Sequence, residues 1–154
     1  MDWKGRRVLV TGGASFIGSH LVDALVGRGA RVRVADNLSS GREENLRQHL
    51  DSGAIELIRA DLTEPGVALD AARGIDVVFH LAADHGGRGY VDLHQAACAT
   101  NLALDGLVFQ ACRRAGVDKV VFASSACGYP GHLQTDPGQV RYLTEEEERR
   151  LCFV

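Results

Sequence analysis

The sequence predicts an α/β fold, a doubly wound parallel sheet with helices on both faces, and three observations carry that prediction. Apolar, β-branched runs alternate with helical patterns along the chain. A glycine-rich turn, Gly12-Gly13-Ala14-Ser15-Phe16-Ile17-Gly18, joins the first such run to the first helical pattern. The run Val77-Val78-Phe79-His80-Leu81 is nearly continuous in apolar character, as expected of a strand covered on both faces. At 154 residues the chain is long enough for one domain, and two full-sized ones would be a squeeze.

Strands are expected at Arg7–Thr11, Arg31–Ala35, Ile55–Ala60, Val77–Leu81 and Val120–Ser124. Helices are expected between them at Phe16–Gly27, Glu43–His49, Ala68–Ala72 and Gln95–Ala115. In the first helix Phe16, Ile17, Leu21 and Leu25 make one apolar stripe, and Gly27 and Gly29 stop it. The long fourth helix carries Leu102, Leu104, Leu107, Val108 and Ala111, so it is apolar on more than one side. Right-handed crossovers between successive strands wind the sheet in both directions. No repeat, linker or low-complexity stretch interrupts this order. The last thirty or so residues read differently. Gly128-Tyr129-Pro130-Gly131 and Asp136-Pro137-Gly138 are turns, and Thr144 with Glu147 forms a capping box that opens a helix. The apolar end Leu151-Cys152-Phe153-Val154 needs a partner to cover it. The expected division is an α/β domain over 1–130, then the start of a loop and helix over 131–154.

Composition excludes several function classes. Hydrophobic residues make up 45% and charged residues 24%, which is globular rather than disordered. Seventeen Lys and Arg against 20 Asp and Glu leave a net charge of −3, too balanced for a nucleic-acid or anionic-membrane footprint. No apolar run reaches membrane-spanning length, and Met1-Asp2-Trp3-Lys4-Gly5 is no apolar signal segment, so a cytoplasmic protein is expected. Cys98, Cys112, Cys127 and Cys152 contain no Cys-x-x-Cys pair, and the six His are scattered. Free thiols and no bound metal are therefore expected.

The chemistry concentrates at the ends of the strands. The turn after the first strand would place backbone N–H groups and a helix N-terminus, with Phe16 and Ile17 in its first turn, against a pyrophosphate. Gly12 permits the tight turn and Gly18 lets the helix approach the sheet. Ser15 stands where a glycine is usual; it can cap the helix, donate to phosphate, or crowd the ligand slightly. A tight turn with no ligand would explain this segment alone. Eighteen residues beyond Gly18 stands Asp36, followed by Asn37. An acid there accepts hydrogen bonds from adenosine ribose hydroxyls and repels a 2′-phosphate, which favours NAD over NADP. Arg42 is the nearby cation that could reverse this preference. Asp61-Leu62 after the third strand is either an adenine edge or a helix-start acid. Leu81-Ala82-Ala83 is small enough for close approach of a dinucleotide. These strand ends converge at the crevice where such sheets bind ligands.

The segments Thr11–Gly18, Asp36-Asn37-Leu38, Asp61-Leu62, Leu81-Ala82-Ala83, Asn101 and Ser124-Ser125-Ala126 resemble the extended short-chain dehydrogenase/reductase family. More narrowly they are similar to its NAD-dependent nucleotide-sugar epimerases and dehydratases, over about Val8 to Tyr129. Ala82-Ala83-Asp84-His85-Gly86-Gly87-Arg88-Gly89 and Ser124–Pro130 look like the GDP-mannose 3,5-epimerases, whereas the first half suits a UDP-glucose 4-epimerase equally. The resemblance implies a Rossmann-type fold and transient oxidation of a sugar hydroxyl by NAD, proton exchange beside the ketone, and return of the hydride. It assigns Ser125 to hydrogen bonding of the reacting sugar oxygen and Cys127 to proton transfer, for which a tunable thiol suits. On spacing alone, Cys127 reads as an inert, half-buried thiol, and only the resemblance raises the catalytic role beside it. Gly86, Gly87 and Arg88 would receive the sugar and diphosphate of a GDP- or UDP-hexose, or form a mobile surface loop. Asn101 would steady the active-site backbone and cofactor, and the fourth helix would pair two subunits in a homodimer.

One family feature is missing. The family's general base is a Tyr followed four residues later by a Lys, and here Tyr90, Tyr129 and Tyr142 are followed at that spacing by His94, Leu133 and Glu146. The expected position lies beyond Val154, together with a sixth strand and the C-terminal substrate part. The expectation is therefore the NAD-binding portion of a nucleotide-sugar epimerase or dehydratase, inactive by itself. The alternatives are a short non-catalytic NAD-binding protein, or a UDP-sugar 4-epimerase, dehydratase or reductase completed by another chain.

Overall fold

The computed structural model describes residues 2–84, 86, 88–124 and 144. The chain divides into two compact units, Met1–Phe122 and Ala123–Val154, and the fold below is that of the first. Five parallel strands form it: β1 (Arg7–Thr11), β2 (Arg31–Asp36), β3 (Ile55–Arg59), β4 (Val77–His80) and β5 (Lys119–Phe122). Their spatial order is β3-β2-β1-β4-β5. The chain thus moves outward from β1 to β3, then jumps back across β1 to β4. That reversal is the topological switch point of a doubly wound sheet.

Period-two alternation divides the core between the two faces. Val8 and Val10 of β1, with Val32, Val34 and Val77, pack with Val22 and Leu25 of helix α1 (Phe16–Gly27). Leu9 and Val78 point the other way, into a cluster with Ala71 of α3 (Val67–Ala72) and Val108, Ala111 and Cys112 of α6 (Asn101–Ala115). Helices on both faces, around a sheet buried at its centre, agree with the expected class. No helix among the described residues is long and apolar enough to cross a membrane.

Four differences from the sequence expectation have physical causes. The strands shift by one or two residues at their ends because pairing sets them: β5 starts at Lys119 opposite Val77 and stops at Phe122 opposite His80, where β4 also ends. The second helix splits into a 3₁₀ turn at Glu43–Leu46 and α2 (Arg47–Asp51), with Leu46 buried at the junction. The sheet-facing line of α1 is Gly18, Val22 and Leu25; Phe16 and Ile17 are 77% and 69% exposed. A Cβ at Gly18 would lie 2.2 Å from the Gly12 carbonyl oxygen, so the helix presses on the turn there and turns residues 16 and 17 outward.

The fourth difference bears on the site. The long fourth helix begins earlier and is broken into α4 (Arg88–Leu93), α5 (Gln95–Ala99) and α6. His94 leaves helical geometry at φ −126°, ψ 38°, and Thr100 returns its hydroxyl to the Ala97 carbonyl at 2.5 Å. Hydroxyl back-bonding of this kind competes with the helical ladder. Arg88 and Gly89, expected in a loop, therefore open a short helix.

Candidate functional site

A cleft of about 610 Å³ lies beyond the carboxyl ends of the strands, at the switch point between β1 and β4. Ligand pockets run from about 300 to 1,000 Å³. Gly12, Ser15, Asp36, Asn37, Asp61, Leu62, Leu81, Ala82, Ala83 and Asn101 all line it. Ten of the expected site residues, distant in sequence, are thus brought together.

The glycine turn forms one wall. Gly12 has φ +69°, and a Cβ there would lie 2.9 Å from the Ala82 nitrogen, so only glycine lets β1 and β4 approach this closely. Ser15 caps α1: its Oγ accepts from Gly18 N at 3.2 Å and donates to the Gly12 carbonyl at 2.7 Å. The expected cap is present, and the hydroxyl proton is directed to the Gly12 carbonyl rather than into the cleft. Phe16, Ile17 and Gly18 are not on the cleft wall; they contribute the first turn of α1 behind it.

Asp36, buried at the end of β2, reaches both sides of the turn. Its Oδ2 accepts from Ala14 N at 2.9 Å and its Oδ1 from Leu38 N at 2.8 Å. The Ala14 carbonyl in turn receives Asn45 Nδ2 at 2.8 Å and Arg42 N at 3.0 Å. The residue after β2 is thus stitched to the turn after β1. Asp61 lines the cleft and caps the turn at Thr63 rather than the start of a helix, since α3 opens six residues later. Its Oδ1 accepts from Thr63 N and Thr63 Oγ1 at 2.8 and 2.6 Å, while Asn37 Nδ2 stands 3.4 Å from Oδ2 on the cleft wall. The Thr63 hydroxyl and amide, with Asn37, hold this carboxyl below the usual carboxylate range. Among the described residues the wall carries three carboxylates, Asp36, Asp61 and Asp84, and no Lys, Arg or His. Arg42 is not part of it.

The opposite wall follows β4. Asn101, the first residue of α6, brackets Asp84: its Oδ1 accepts from Asp84 N and its Nδ2 donates to Asp84 O, both at 2.8 Å. Beneath Leu81 and Ala82, the Thr11 hydroxyl oxygen accepts both of their amides at 3.2 Å and lies 2.6 Å from His80 Nδ1. His80 Nε2 lies 3.1 Å from Asp105 Oδ1. Burial holds this imidazole below its usual pKa of 6.5, against the pull of the Asp105 carboxylate.

Two side chains, Tyr90 on the cleft wall and Asn45 on the Ala14 carbonyl, escape sequence reasoning. Tyr90 of α4 lines the cleft and donates its hydroxyl to Asp84 Oδ1 at 2.8 Å, which pushes the phenol above its ordinary range. A Cβ at Gly86 would come within 2.6 Å of Tyr90, so the glycine at 86 is the signal that a ring packs there. Asn45 has no such signal. Gly86 is described but is not on the wall. Gly87, Ser125, Cys127 and the Arg88 side chain lie outside the described residues.

With this geometry in hand, likeness to known proteins is specific. The model of the NAD dependent epimerase/dehydratase family matches residues 8–150. The UDP-glucose 4-epimerase of Mycolicibacterium smegmatis is 42% identical over 120 residues, 77% of this chain and 38% of that protein. The UDP-N-acetylglucosamine 4-epimerase from Methanobrevibacter ruminantium, solved in complex with UDP-N-acetylmuramic acid, matches with a TM-score of 0.77 at 35% identity, over 94% of this chain and 44% of that one. The Thermus thermophilus UDP-glucose 4-epimerase, solved in complex with NAD, matches with a TM-score of 0.68 at 38% identity, over 77% of this chain and 37% of that one. The chain spans well under half the length of each of these relatives. Matched along nearly its whole length and folded as a doubly wound sheet with its cleft at the switch point, it belongs to the NAD-dependent epimerase/dehydratase family of extended short-chain dehydrogenases/reductases.

Proposed function

We propose that this chain binds NAD in the cleft and forms the cofactor-binding part of an enzyme that acts on a nucleotide sugar. The observation that carries the proposal is the convergence of the Gly12 turn, the capped start of α1 and the Asp36 carboxylate on one cleft. The residues fit the group. Gly12, Ser15 and Ala82 line the cleft, and the start of α1 that Ser15 caps would offer its amides to a pyrophosphate there. Asp36 keeps lone pairs for ribose hydroxyls after receiving its two amides. The three wall carboxylates, with no Lys or Arg among the described residues that line the cleft, oppose a 2′-phosphate.

A bound NAD would supply the acceptor for a hydride from the carbon that bears a sugar hydroxyl, the hydroxyl proton going to a base, and would supply the hydride for its return. The chain's own task is to orient and hold: Leu62 and Asp61 at the adenine end, Leu81, Ala82 and Ala83 beneath the nicotinamide end, and Asn101 steadying the backbone there. Ser125 and Cys127 would hold the sugar oxygen and move a proton, with Gly86, Gly87 and Arg88 receiving the diphosphate sugar. The names of the relatives support a UDP-hexose; the resemblance of residues 82–89 and 124–130 supports a GDP-hexose as the second reading. A homodimer through α6 accords with Leu102, which is 80% exposed there, and a cytoplasmic setting accords with the composition. Without the Tyr-x-x-x-Lys pair, the chain by itself is expected to turn over neither UDP-glucose nor GDP-mannose.

Calorimetric titration tests the reading. NAD is expected to bind at least about tenfold more tightly than NADP, the equivalent of one charge-assisted hydrogen bond. Equal or tighter binding of NADP would overturn the role given to Asp36, and no binding of either would overturn the cofactor site.

A further inference from the structure

The buried chain Thr11–His80–Asp105 lies one layer beneath the cleft, and its hydrogen positions follow from counting. A threonine hydroxyl has one proton to give and two lone pairs to offer. The Leu81 and Ala82 amides, each 3.2 Å from Thr11 Oγ1, fill both lone pairs. The hydroxyl proton is then directed to His80 Nδ1 at 2.6 Å, which makes that nitrogen an acceptor. The ring's own proton sits on Nε2, facing Asp105 Oδ1 at 3.1 Å, where an ionised carboxylate can only accept. The other tautomer would aim an Nδ1 proton at an oxygen already holding two donors and turn the Nε2 lone pair on the carboxylate. An imidazolium would make the same clash at Nδ1. The other groups against the ring are uncharged, Phe109 of α6 and Phe122 of β5, with centroids at 5.9 and 5.8 Å.

We propose that Asp105 is a positioning residue for the cofactor cleft: by fixing His80 as the Nε2–H tautomer, it keeps the Thr11 hydroxyl oxygen free to hold the Leu81 and Ala82 amides in the cleft floor. Leu81 N has a second acceptor in the Thr11 carbonyl at 3.2 Å, so Ala82 depends more heavily on the hydroxyl. Ala82 is also the residue against which Gly12 closes, and both line the cleft, so its place sets how the glycine turn meets the chain after β4. Asp105 and Asn101 stand on the same helix, and together they tie α6 to the end of β4 at His80 and to the chain after it at Asp84. Burial agrees with the assignment, since it favours the neutral ring.

The consequence for affinity rests on the reading of the cleft as an NAD site; the tautomer does not. Long-range proton–nitrogen correlation spectra of the labelled whole chain at neutral pH read the tautomer directly, and Nε2–H is expected. An Nδ1–H ring or an imidazolium overturns the proposal. Asp105→Ala and Thr11→Val are each expected to speed exchange of the Ala82 amide and to weaken NAD binding by about tenfold, the cost of about one hydrogen bond. Thr11→Ser, which keeps the hydroxyl, should restore both. Unchanged Ala82 exchange in Asp105→Ala and Thr11→Val, or a Thr11→Ser chain that behaves like Thr11→Val, overturns the proposal. Should either disruptive variant fail to fold, the wild-type tautomer still decides it. A wild-type chain with the Nε2–H ring and a protected Ala82 amide that binds no NAD supports the network and overturns the cofactor reading.

Discussion

Asp36 joins three pieces of chain with one carboxylate, and its substitution separates structure from binding. In Asp36→Ala the Ala14 and Leu38 amides lose their acceptor in a buried place. A stranded buried donor costs about 1–3 kcal/mol, so denaturant unfolding should show a loss of that order. NAD binding should weaken alongside, and the preference over NADP should narrow because the charge is gone. A stable variant with unchanged preference would contradict both roles. Gly18 and Gly27 make a second contrast within one helix. A Cβ at Gly18 meets backbone, the Gly12 oxygen at 2.2 Å and Gly13 Cα at 2.7 Å, and neither can step aside without moving the turn. Gly18→Ala is expected to destabilise by about 1–3 kcal/mol, as overpacking does, and to abolish NAD binding. At Gly27 a Cβ meets nothing within 4 Å, and Gly27→Ala should leave binding intact and add up to about 1 kcal/mol of helix stability. Thermal unfolding of the two variants side by side would expose an error in either sign.

At the scale of the element, α1 shows how a local sequence signal becomes a site. Ser15 satisfies one free amide at the helix start and holds the Gly12 carbonyl, so its hydroxyl serves helix and turn together. Ser15→Ala should cost about 1 kcal/mol in unfolding free energy, and Ser15→Thr should recover most of it. A loss confined to NAD affinity, with stability unchanged, would mean that the hydroxyl serves the ligand instead. The strands and α1 were legible in the sequence because each depends on a local period, Val8 and Val10 against Leu9, or on a cap and a glycine at fixed spacing. For the same reason the strand-end residues from Gly12 to Ala83 that line the cleft could be read in advance. The break at His94 and Thr100 could not, because apolar residues continue across it and its cause is the local pairing of side chain and carbonyl. The outward turn of Phe16 and Ile17 was hidden likewise, since hydrophobicity alone does not say that Gly18 is the point of contact. The Asp105 side chain was invisible for a third reason: it acts through a partner, His80, that only the folded sheet brings near.

Across the whole molecule, the shifted groups make stability fall with acid in two steps. The folded chain holds His80 below its usual 6.5, so between that value and the lower folded one the unfolded chain binds the proton and the folded chain does not. Stability rises with pH wherever the unfolded state holds more protons, so this contribution is complete above about 6.5 and is lost as the pH falls through the folded value. Asp61, Asp76 and Glu43 are likewise held below the carboxylate range: by Thr63, by the Arg7 guanidinium and amide, and by the Arg59 guanidinium. Their contribution is complete above the ordinary carboxylate values of 3.8 and 4.5, and is lost below them. Arg7 and Arg59 are raised by their carboxylate partners above the ordinary guanidinium range and stay charged throughout, so they add no slope in this range. Urea unfolding from pH 8 downward should therefore show an upper limb that begins near the imidazole range and a lower limb in the carboxylate range. Asp76→Asn should flatten only the lower limb, because it removes a carboxylate that joins the start of β1 to β4. Asp105→Asn should act on the upper limb in the opposite sense: the Asp105 charge raises the His80 value, so its removal lets burial push the ring lower and widens the window over which stability is lost. An upper limb that narrows in Asp105→Asn would mean that His80 is charged in the folded protein, and the neutral ring beneath the cleft would have to be abandoned.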